Sequence, residues 1–288
     1  IDGFALNCGS WANDPYYIER SALIFEAARR VDPKFKIFFS IDQASGLDPT
    51  STALDMMKRF GEHPNHFRHA GRPVLSAYGH FGPVWPKTLS ALKDAGIEIC
   101  FVPYLWSENF TITPSYDGIL NTLAEAPYID GYFLFGIDAP AWDLRQSNAN
   151  CRRAMSKVGK LYMATNSFSY NSANVRDFHG MRDYSEIWDG IIKDNADWVE
   201  IVTWNDYTED SHLAPAHAGV QIDMSRINHD ESYLDITSYY SAWFKSRCQP
   251  KITQEKLFYV YRERSKRLRK AFDSKTQTWT HLPDQIHD

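Results

Sequence analysis

Trp204-Asn205-Asp206-Tyr207 places an aromatic, an amide, a carboxylate and a phenol in a row, and a second carboxylate follows at Glu209. Two acids at this spacing can divide acid–base work: one protonates a leaving oxygen, and the other activates water or attacks carbon. Three extended residues span up to about 10 Å. The side chains can therefore meet either the about 6.5–9.5 Å of an inverting glycosidase or the about 5 Å of a retaining one, and spacing selects neither. A third acid, Asp42, ends the apolar run Ile37-Phe-Phe-Ser-Ile-Asp42. A carboxylate there caps the next turn, pairs with an arginine, or works in a site, because leaving it unpaired beside such a run is costly.

Such groups need a scaffold that delivers them to one place. Strand-like segments are predicted at Asp2–Asn7, Lys36–Asp42, Val74–Tyr78, Ile97–Tyr104, Gly131–Asp138, Leu161–Asn166 and Val199–Asp206. Helical patterns fall between them at Pro15–Val31, Thr50–Phe60, Val84–Ala95, Tyr116–Glu125, Ser147–Val158 and Tyr184–Asn195, with Leu234–Arg247 after the last strand. This alternation builds a parallel sheet with helices outside it. An α/β fold of the (β/α)8 barrel type is predicted over residues 1–250. Seven strands are visible, and the start of a strand at residue 1 predicts that a first βα unit lies upstream. The competing doubly wound sheet would carry a glycine-rich turn, and neither GxGxxG nor GxxxxGK[ST] occurs. Residues 251–288 read as a helical extension over Gln254–Phe272, with a basic run, and a tail packed on or trailing from the barrel.

In such a barrel, functional groups gather where strands end and βα loops begin. Every predicted strand ends in groups able to bind a sugar: Asn7 with Trp11, Asp42 with Gln43, Tyr78 with His80, and Tyr104 with Trp106. Asp138 with Trp142, Asn166, and finally Trp204, Asn205, Tyr207 and His212 complete the set. Polar residues occur wherever strands end, so the pattern supports a cleft and no particular reaction. Trp11, Trp106 and Trp204 are candidate stacking platforms, whereas Trp85 and Trp188 lie in helical patterns and read as core.

Bulk composition narrows the classes. The chain has 288 residues, a length at which a single α/β barrel is ordinary. An aromatic share of 15%, with nine Trp and sixteen Tyr, fits either a well-filled core or a sugar-binding cleft, since pyranose C–H faces stack on flat rings. A net charge of −5 argues against nucleic acid as a partner. No apolar run reaches the about 20 residues of a membrane span. Cys8, Cys100, Cys151 and Cys248 are scattered without a CxxC pair, so they read as one or two disulfides or as buried thiols. His212 and His217 lack an HExxH arrangement, so no metal is expected, and the absence of a GxSxG elbow disfavours a serine hydrolase. Asn109-Phe-Thr111 is a single glycosylation triplet.

Four blocks in order carry a family resemblance. They are Asp2-Gly-Phe-Ala-Leu-Asn7, Phe38-Phe-Ser-Ile-Asp42, His63-Pro-Asn-His-Phe67 with Gly71-Arg-Pro-Val74, and Val199-Glu-Ile-Val-Thr-Trp-Asn-Asp-Tyr207. From residue 1 to about 260 the chain resembles glycoside hydrolase family 71, the α-1,3-glucanases or mutanases. The resemblance implies a (β/α)8 barrel, endo-type hydrolysis of α-1,3-glucan with inversion, no cofactor, and essential acids at Asp42, Asp206 and Glu209. It also implies a polysaccharide as the partner, with a monomer expected, and a secreted or wall-associated enzyme, because the polymer is extracellular. Two departures stand out. Thr208-Glu-Asp-Ser211 replaces the family's usual Gly-Glu-Ser. The initial βα unit and the C-terminal β-rich domain that members often carry are not visible. Loops choose the sugar, so another α-linked glycan such as mannan, or a barrel that binds glycan without cleaving it, stays open.

Overall fold

The periodicity becomes real structure in the computed structural model, whose described residues are 1–12, 14–106, 114–172, 175–176, 179–215, 227–228, 231–258, 261–262, 270–273 and 278–281. Two compact units divide the chain: Ile1–Leu134 with Asn150–Met163, and Phe135–Ala149 with Ala164–Asp288.

The first unit runs β1 (Gly3–Cys8), α1 (Pro15–Val31), β2 (Lys36–Asp42), α2 (Pro49–Phe60), β3 (Arg68–His69), β4 (Arg72–His80), α3 (Val84–Asp94), β5 (Cys100–Phe101), β6 (Tyr104–Trp106), α4 (Tyr116–Glu125) and β7 (Gly131–Phe133). β1 pairs in parallel with β2, β2 with β4, and β4 with both β5 and β6. β5 and β6 are one predicted strand interrupted at Pro103, which has no N–H to give a ladder. The carbonyls of Phe101 and Pro103 still accept from Asp130 N at 2.9 Å and Phe133 N at 3.0 Å, which carries the strand order on to β7. β7 then pairs in parallel with the first residues of β8 (Leu161–Asn166). Ile37, Phe39, Ile41, Val74, Leu75, Ala77 and Val102 are fully buried, as expected of parallel strands covered on both faces.

Helix starts are written into the sequence. Asp14 accepts Tyr16 N at 3.0 Å ahead of Pro15, and Asp48 accepts Ser51 N at 2.9 Å ahead of Pro49. This is the side-chain cap followed by proline that a first helical turn favours. The block His63–Phe67 proves to be a brace. Asn65 Nδ2 donates to the carbonyls of Asp32 and Phe35 at 3.2 and 2.8 Å, and the buried His66 ring bridges the Phe60 and Val74 carbonyls at 3.1 and 3.0 Å. Arg72 reaches Asp130 at 2.7 Å, and Asp130 also accepts Phe101 N at 2.9 Å. These contacts lie at the starts of strands, where a barrel keeps its stabilising interactions.

The second unit holds the start of α5 (Ala141–Lys157), the last residues of β8, then β9 (Tyr170–Asn171), β10 (Val175–Arg176), α6 (Arg182–Asp194), β11 (Trp198–Ile201), β12 (Ile227–Asn228) and, after it, the helix Ser232–Ser246. Val202 N donates to Asn166 O at 3.0 Å, which sets the end of β11 beside the end of β8. α6 buries Tyr184, Ile187, Trp188 and Ile191, a spacing that lines one helical face. α5 begins earlier than the predicted Ser147.

Of the helical extension predicted over Gln254–Phe272, residues 254–258 form no regular element, residues 259–260 and 263–269 lie outside the described residues, and the rest lie in short strands: Tyr261–Arg262 pairs with β12, and Lys270–Asp273 pairs antiparallel with Thr278–His281, with Phe272 opposite Trp279. Thr278-Trp-Thr-His alternates the β-branched and aromatic types that suit a pleated strand, and the basic run upstream masked that signal. Among the described residues, no helix is long and apolar enough to cross a membrane.

Candidate active site

Three strand ends of the first unit bring polar and aromatic groups together. β4 and β6 set Tyr78 opposite Tyr104 and His80 opposite Trp106. The Tyr78 ring centroid lies 4.6 Å from that of Trp106 and 5.5 Å from that of Tyr104. Trp106 Nε1 donates to His80 Nε2 at 2.9 Å, which leaves the His80 proton on Nδ1. Gln43 folds over Gly79, where a Cβ would stand 2.2 Å from Gln43 Oε1, so only glycine permits the approach. That same oxygen accepts His80 N at 2.9 Å. Asp42 Oδ1 accepts Ala44 N at 3.0 Å and caps the short helical turn Gln43–Ser45, while Oδ2 faces Gly9.

The acid pair sits in the second unit, on the turn after β11. Its base is closed by Thr203 N to Ser211 O at 2.9 Å and Ala214 N to Trp204 O at 2.8 Å. Inside the turn, Thr203 Oγ1 accepts Asp206 N at 3.1 Å. Asp206 Oδ1 in turn accepts Thr208 Oγ1 at 2.8 Å and Glu209 N at 3.1 Å. The Asp206 backbone N–H and its Oδ1 are thereby fixed. The Glu209 carboxyl receives Tyr170 Oη at 3.3 Å on Oε1, with Ser172 and Asp206 near enough to act on its charge. Burial, and second the Asp206 charge, hold Glu209 above the usual carboxylate range. Of the pair, Glu209 is the carboxyl shifted toward its protonated form.

Segment Ser167–Asn171 grips this turn. Asn171 N donates to Glu209 O at 2.8 Å, Asn171 Nδ2 donates to Asp210 Oδ2 at 2.9 Å, and Ser169 Oγ donates to the Asp210 carbonyl. Asp210 is buried and takes a φ of 53°, a left-handed conformation that aspartate tolerates better than most residues. β9 returns through β10, with Tyr170 paired to Arg176. Arg176 is 4% exposed and donates to Ile137 O at 3.2 Å and to Ser167 O. Burial lowers its guanidinium to about 10, opposed by the charges of Asp183 and Asp138.

The structure thus brings Asp206, Glu209 and Tyr207 onto one turn, with Trp204 half-buried and Asn205 exposed beside them. Asp138 is near enough for its charge to act on Tyr170. Trp142 is 67% exposed, with the Arg145 guanidinium 5.7 Å from its ring. Asn7 is exposed one residue before the end of β1. Three expectations fail. Trp11 is 2% exposed, packed edge-on against Phe39 and Phe60 with its indole N–H on Asp55 at 2.8 Å, so neither face is open to a sugar. Asn166 is fully buried: its amide donates to Tyr184 O at 3.0 Å and its oxygen accepts Ser167 N at 2.9 Å, which turns it toward α6. His212 is 1% exposed beneath the Tyr207 ring, and burial lowers it to about 4, so it is a neutral packing group. His217 and the Asn109 triplet lie outside the described residues. Among those described, no three His, Cys, Asp or Glu side chains converge as metal ligands.

Sequence reasoning missed Tyr170 and Glu200. Tyr170 stands four residues beyond the end of β8, and attention to strand-end residues alone passes over it. Glu200 lies within β11, half-buried, and burial pushes its carboxyl up to about 8, so it is neutral at pH 7. Its signal was an acid inside an otherwise apolar strand.

Comparison with known proteins decides the family. Residues 1–286 match glycosyl hydrolase family 71. The chain belongs to that family. Among relatives, glucan endo-1,3-alpha-glucosidase agn1 of Schizosaccharomyces pombe is 26% identical over 95% of this chain and 66% of its own length. The ascus wall endo-1,3-alpha-glucanase of the same yeast is 24% identical over 75% of this chain and 51% of its own. A mutanase of Penicillium rubens is 28% identical over 91% of this chain and 58% of its own. This family 71 chain therefore spans between half and two thirds of the relatives it matches. In fold, a GH99 endo-alpha-mannosidase of Bacteroides thetaiotaomicron superposes with a TM-score of 0.67 at 18% identity, covering 85% of this chain and 80% of that one. The parallel strands and intervening helices are those of an α/β barrel.

Trp11→Phe in this family 71 chain is expected to cost about 1–3 kcal/mol in urea unfolding, through the lost Asp55 bond and poorer packing. Turnover should stay within twofold of wild type. A fall in turnover at an unchanged unfolding midpoint would return Trp11 to the site.

Proposed function

We propose that the chain hydrolyses α-1,3-glucosidic bonds within an α-1,3-glucan, with Glu209 as general acid and Asp206 as the base that activates water. The observation that carries this reading is the Glu209 carboxyl, raised by burial and by Asp206, beside an acid whose geometry is fixed by its own turn. The names of the relatives supply the glucan and the endo mode. Inversion fits the pair once glucan enters. With Tyr170 on Oε1, the other Glu209 oxygen gives its proton to the glycosidic oxygen, and a water beside Asp206 attacks the anomeric carbon from the opposite face. In the first unit, Asp42 is a further acid that the family resemblance makes essential, and Tyr78, Tyr104 and Trp106 offer rings for glucosyl units. The reaction uses water and no cofactor. The enzyme is a monomer acting outside the cell or at the wall, where such a polymer lies.

The test is sugar release from insoluble α-1,3-glucan, with α-1,4-glucan and α-mannan alongside, and the anomer of the fresh product read by proton NMR. Oligosaccharides from α-1,3-glucan alone, appearing first as the β-anomer, are expected. An α-anomer first would remove inversion, release from mannan would reassign the sugar, and no release from any polymer would leave a binding role.

A further inference from the structure

We propose that Tyr170 is the positioning residue of the acid: its hydroxyl holds Glu209 Oε1 while the hairpin beneath it locks the Glu209–Asp210 backbone, so that one carboxyl oxygen is left to serve the leaving group. The inference rests on the reading of Glu209 as the acid.

Four interactions converge on two residues. Tyr170 Oη meets Glu209 Oε1 at 3.3 Å, and Asn171 N meets the Glu209 carbonyl at 2.8 Å. Asn171 Nδ2 meets Asp210 Oδ2 at 2.9 Å, and Ser169 Oγ meets the Asp210 carbonyl. The clamp holds Thr208-Glu-Asp-Ser211, the stretch in which this turn departs from the Gly-Glu-Ser expected from the family resemblance. With Asp210 in a left-handed conformation, the turn is held by the neighbouring segment rather than by glycine. The segment itself is anchored below, since Arg176, paired to Tyr170 across the hairpin, grips the carbonyls of Ile137 and Ser167.

Charge around the phenol supports the role. Glu209 faces Asp206, Tyr170 and Ser172, and Tyr170 faces Glu209, Ser172 and Asp138. Burial first, and then the charges of Glu209 and Asp138, hold the Tyr170 phenol above its ordinary value, so it stays a donor throughout the working range. Its donation opposes the effects that raise Glu209. Removing the hydroxyl therefore raises Glu209 further, and the acid stays protonated to higher pH.

The experiment compares wild type, Tyr170→Phe, Asn171→Ala and Glu209→Gln on α-1,3-linked gluco-oligosaccharides and on a dinitrophenyl glycoside of the same sugar, each across pH, with folding checked by circular dichroism. On the oligosaccharide, Tyr170→Phe is expected to lose about tenfold to a hundredfold in kcat with KM within about twofold, and to move the alkaline limb to higher pH. On the dinitrophenyl substrate, which needs little protonation, the loss should be under about threefold. Asn171→Ala, which removes the bond to Asp210 Oδ2 and leaves the Glu209 carboxyl untouched, should show the same leaving-group contrast with an unmoved alkaline limb. Equal losses on both substrates with an unmoved profile, or wild-type behaviour in Tyr170→Phe while Glu209→Gln is dead, would overturn the role of Tyr170 alone. An active Glu209→Gln on the oligosaccharide would instead remove the acid assignment on which it rests.

Discussion

Replacing Glu209 with Gln is expected to lower turnover on sugar leaving groups by about 10²–10⁴-fold, the contribution of a positioned acid or base. The amide keeps the shape of the side chain and can still accept from Tyr170 at Oε1, so the turn keeps its frame. What it lacks is the proton. A departing sugar alkoxide needs that proton and a dinitrophenolate does not, so the deficit should shrink to about tenfold or less on the activated substrate. The pH profile gives the sign independently. A general acid works while protonated, and activity is lost as pH rises through its value. Burial and Asp206 raise Glu209, so the wild-type alkaline limb lies above the about 4.3 of an ordinary glutamate. In Glu209→Gln that limb disappears. Asp206→Asn gives the contrasting pattern, because water must lose its proton whichever group departs, and the loss should be similar on both substrates. Matched losses from Glu209→Gln on both substrates would reverse the two roles.

Phe168→Ala is expected to be the most destabilising single change in the second unit, by about 3–5 kcal/mol. Phe168 lies between two tyrosine rings, its centroid 3.7 Å from Tyr184 on one side and 3.7 Å from Tyr233 on the other, at interplanar angles of 16° and 4°. All three side chains are at most 1% exposed. The Tyr184 hydroxyl continues the layer to Thr237 Oγ1 at 2.9 Å. Alanine leaves two ring faces without partners and a cavity that flanking aromatics cannot close. The site responds too, because Phe168 separates Ser167, held by Arg176, from Ser169, which holds Asp210. Urea unfolding followed by tryptophan fluorescence measures the first effect, and turnover below the midpoint measures the second. A midpoint that moves by less than the equivalent of about 0.5 kcal/mol would mean the stack relaxes around the gap.

The alternation of strands and helices was legible because it rests on hydrophobic period, which survives without knowledge of any contact. β2 and β8 come out at the predicted bounds, as do α1 and α4. Strand-end position also pointed to Asp42, Asp206 and Glu209. It could not say which way a side chain turns there. Asn166 and Asp42 both close a strand, yet Asn166 turns toward α6 and is fully buried, while Asp42 caps the turn beyond. Trp11 and Trp106 both follow strand ends, and only Trp106 remains part-open, because the loop carrying Trp11 folds back on α2 to reach Asp55. Tyr170 was illegible for another reason. A two-residue strand has no period to detect, and its partner Arg176 becomes a neighbour only when the hairpin closes. At the far end, the basic residues before Lys270 suit a helix face as well as a strand, and local pattern could not choose.

The four thiols differ as reagents. Cys8, Cys100 and Cys151 are buried, and burial pushes the first two up to about 12 and the third higher still. At neutral pH almost none of that sulfur is thiolate, the form that attacks a maleimide or an oxidant. Cys248, at the end of the helix Ser232–Ser246, is the exposed one, and its backbone N–H donates to Ser246 Oγ at 3.2 Å. A fluorophore or a surface linker offered to the native fold therefore finds a single address. The same dye, watched as urea is added, reports when the other three are uncovered.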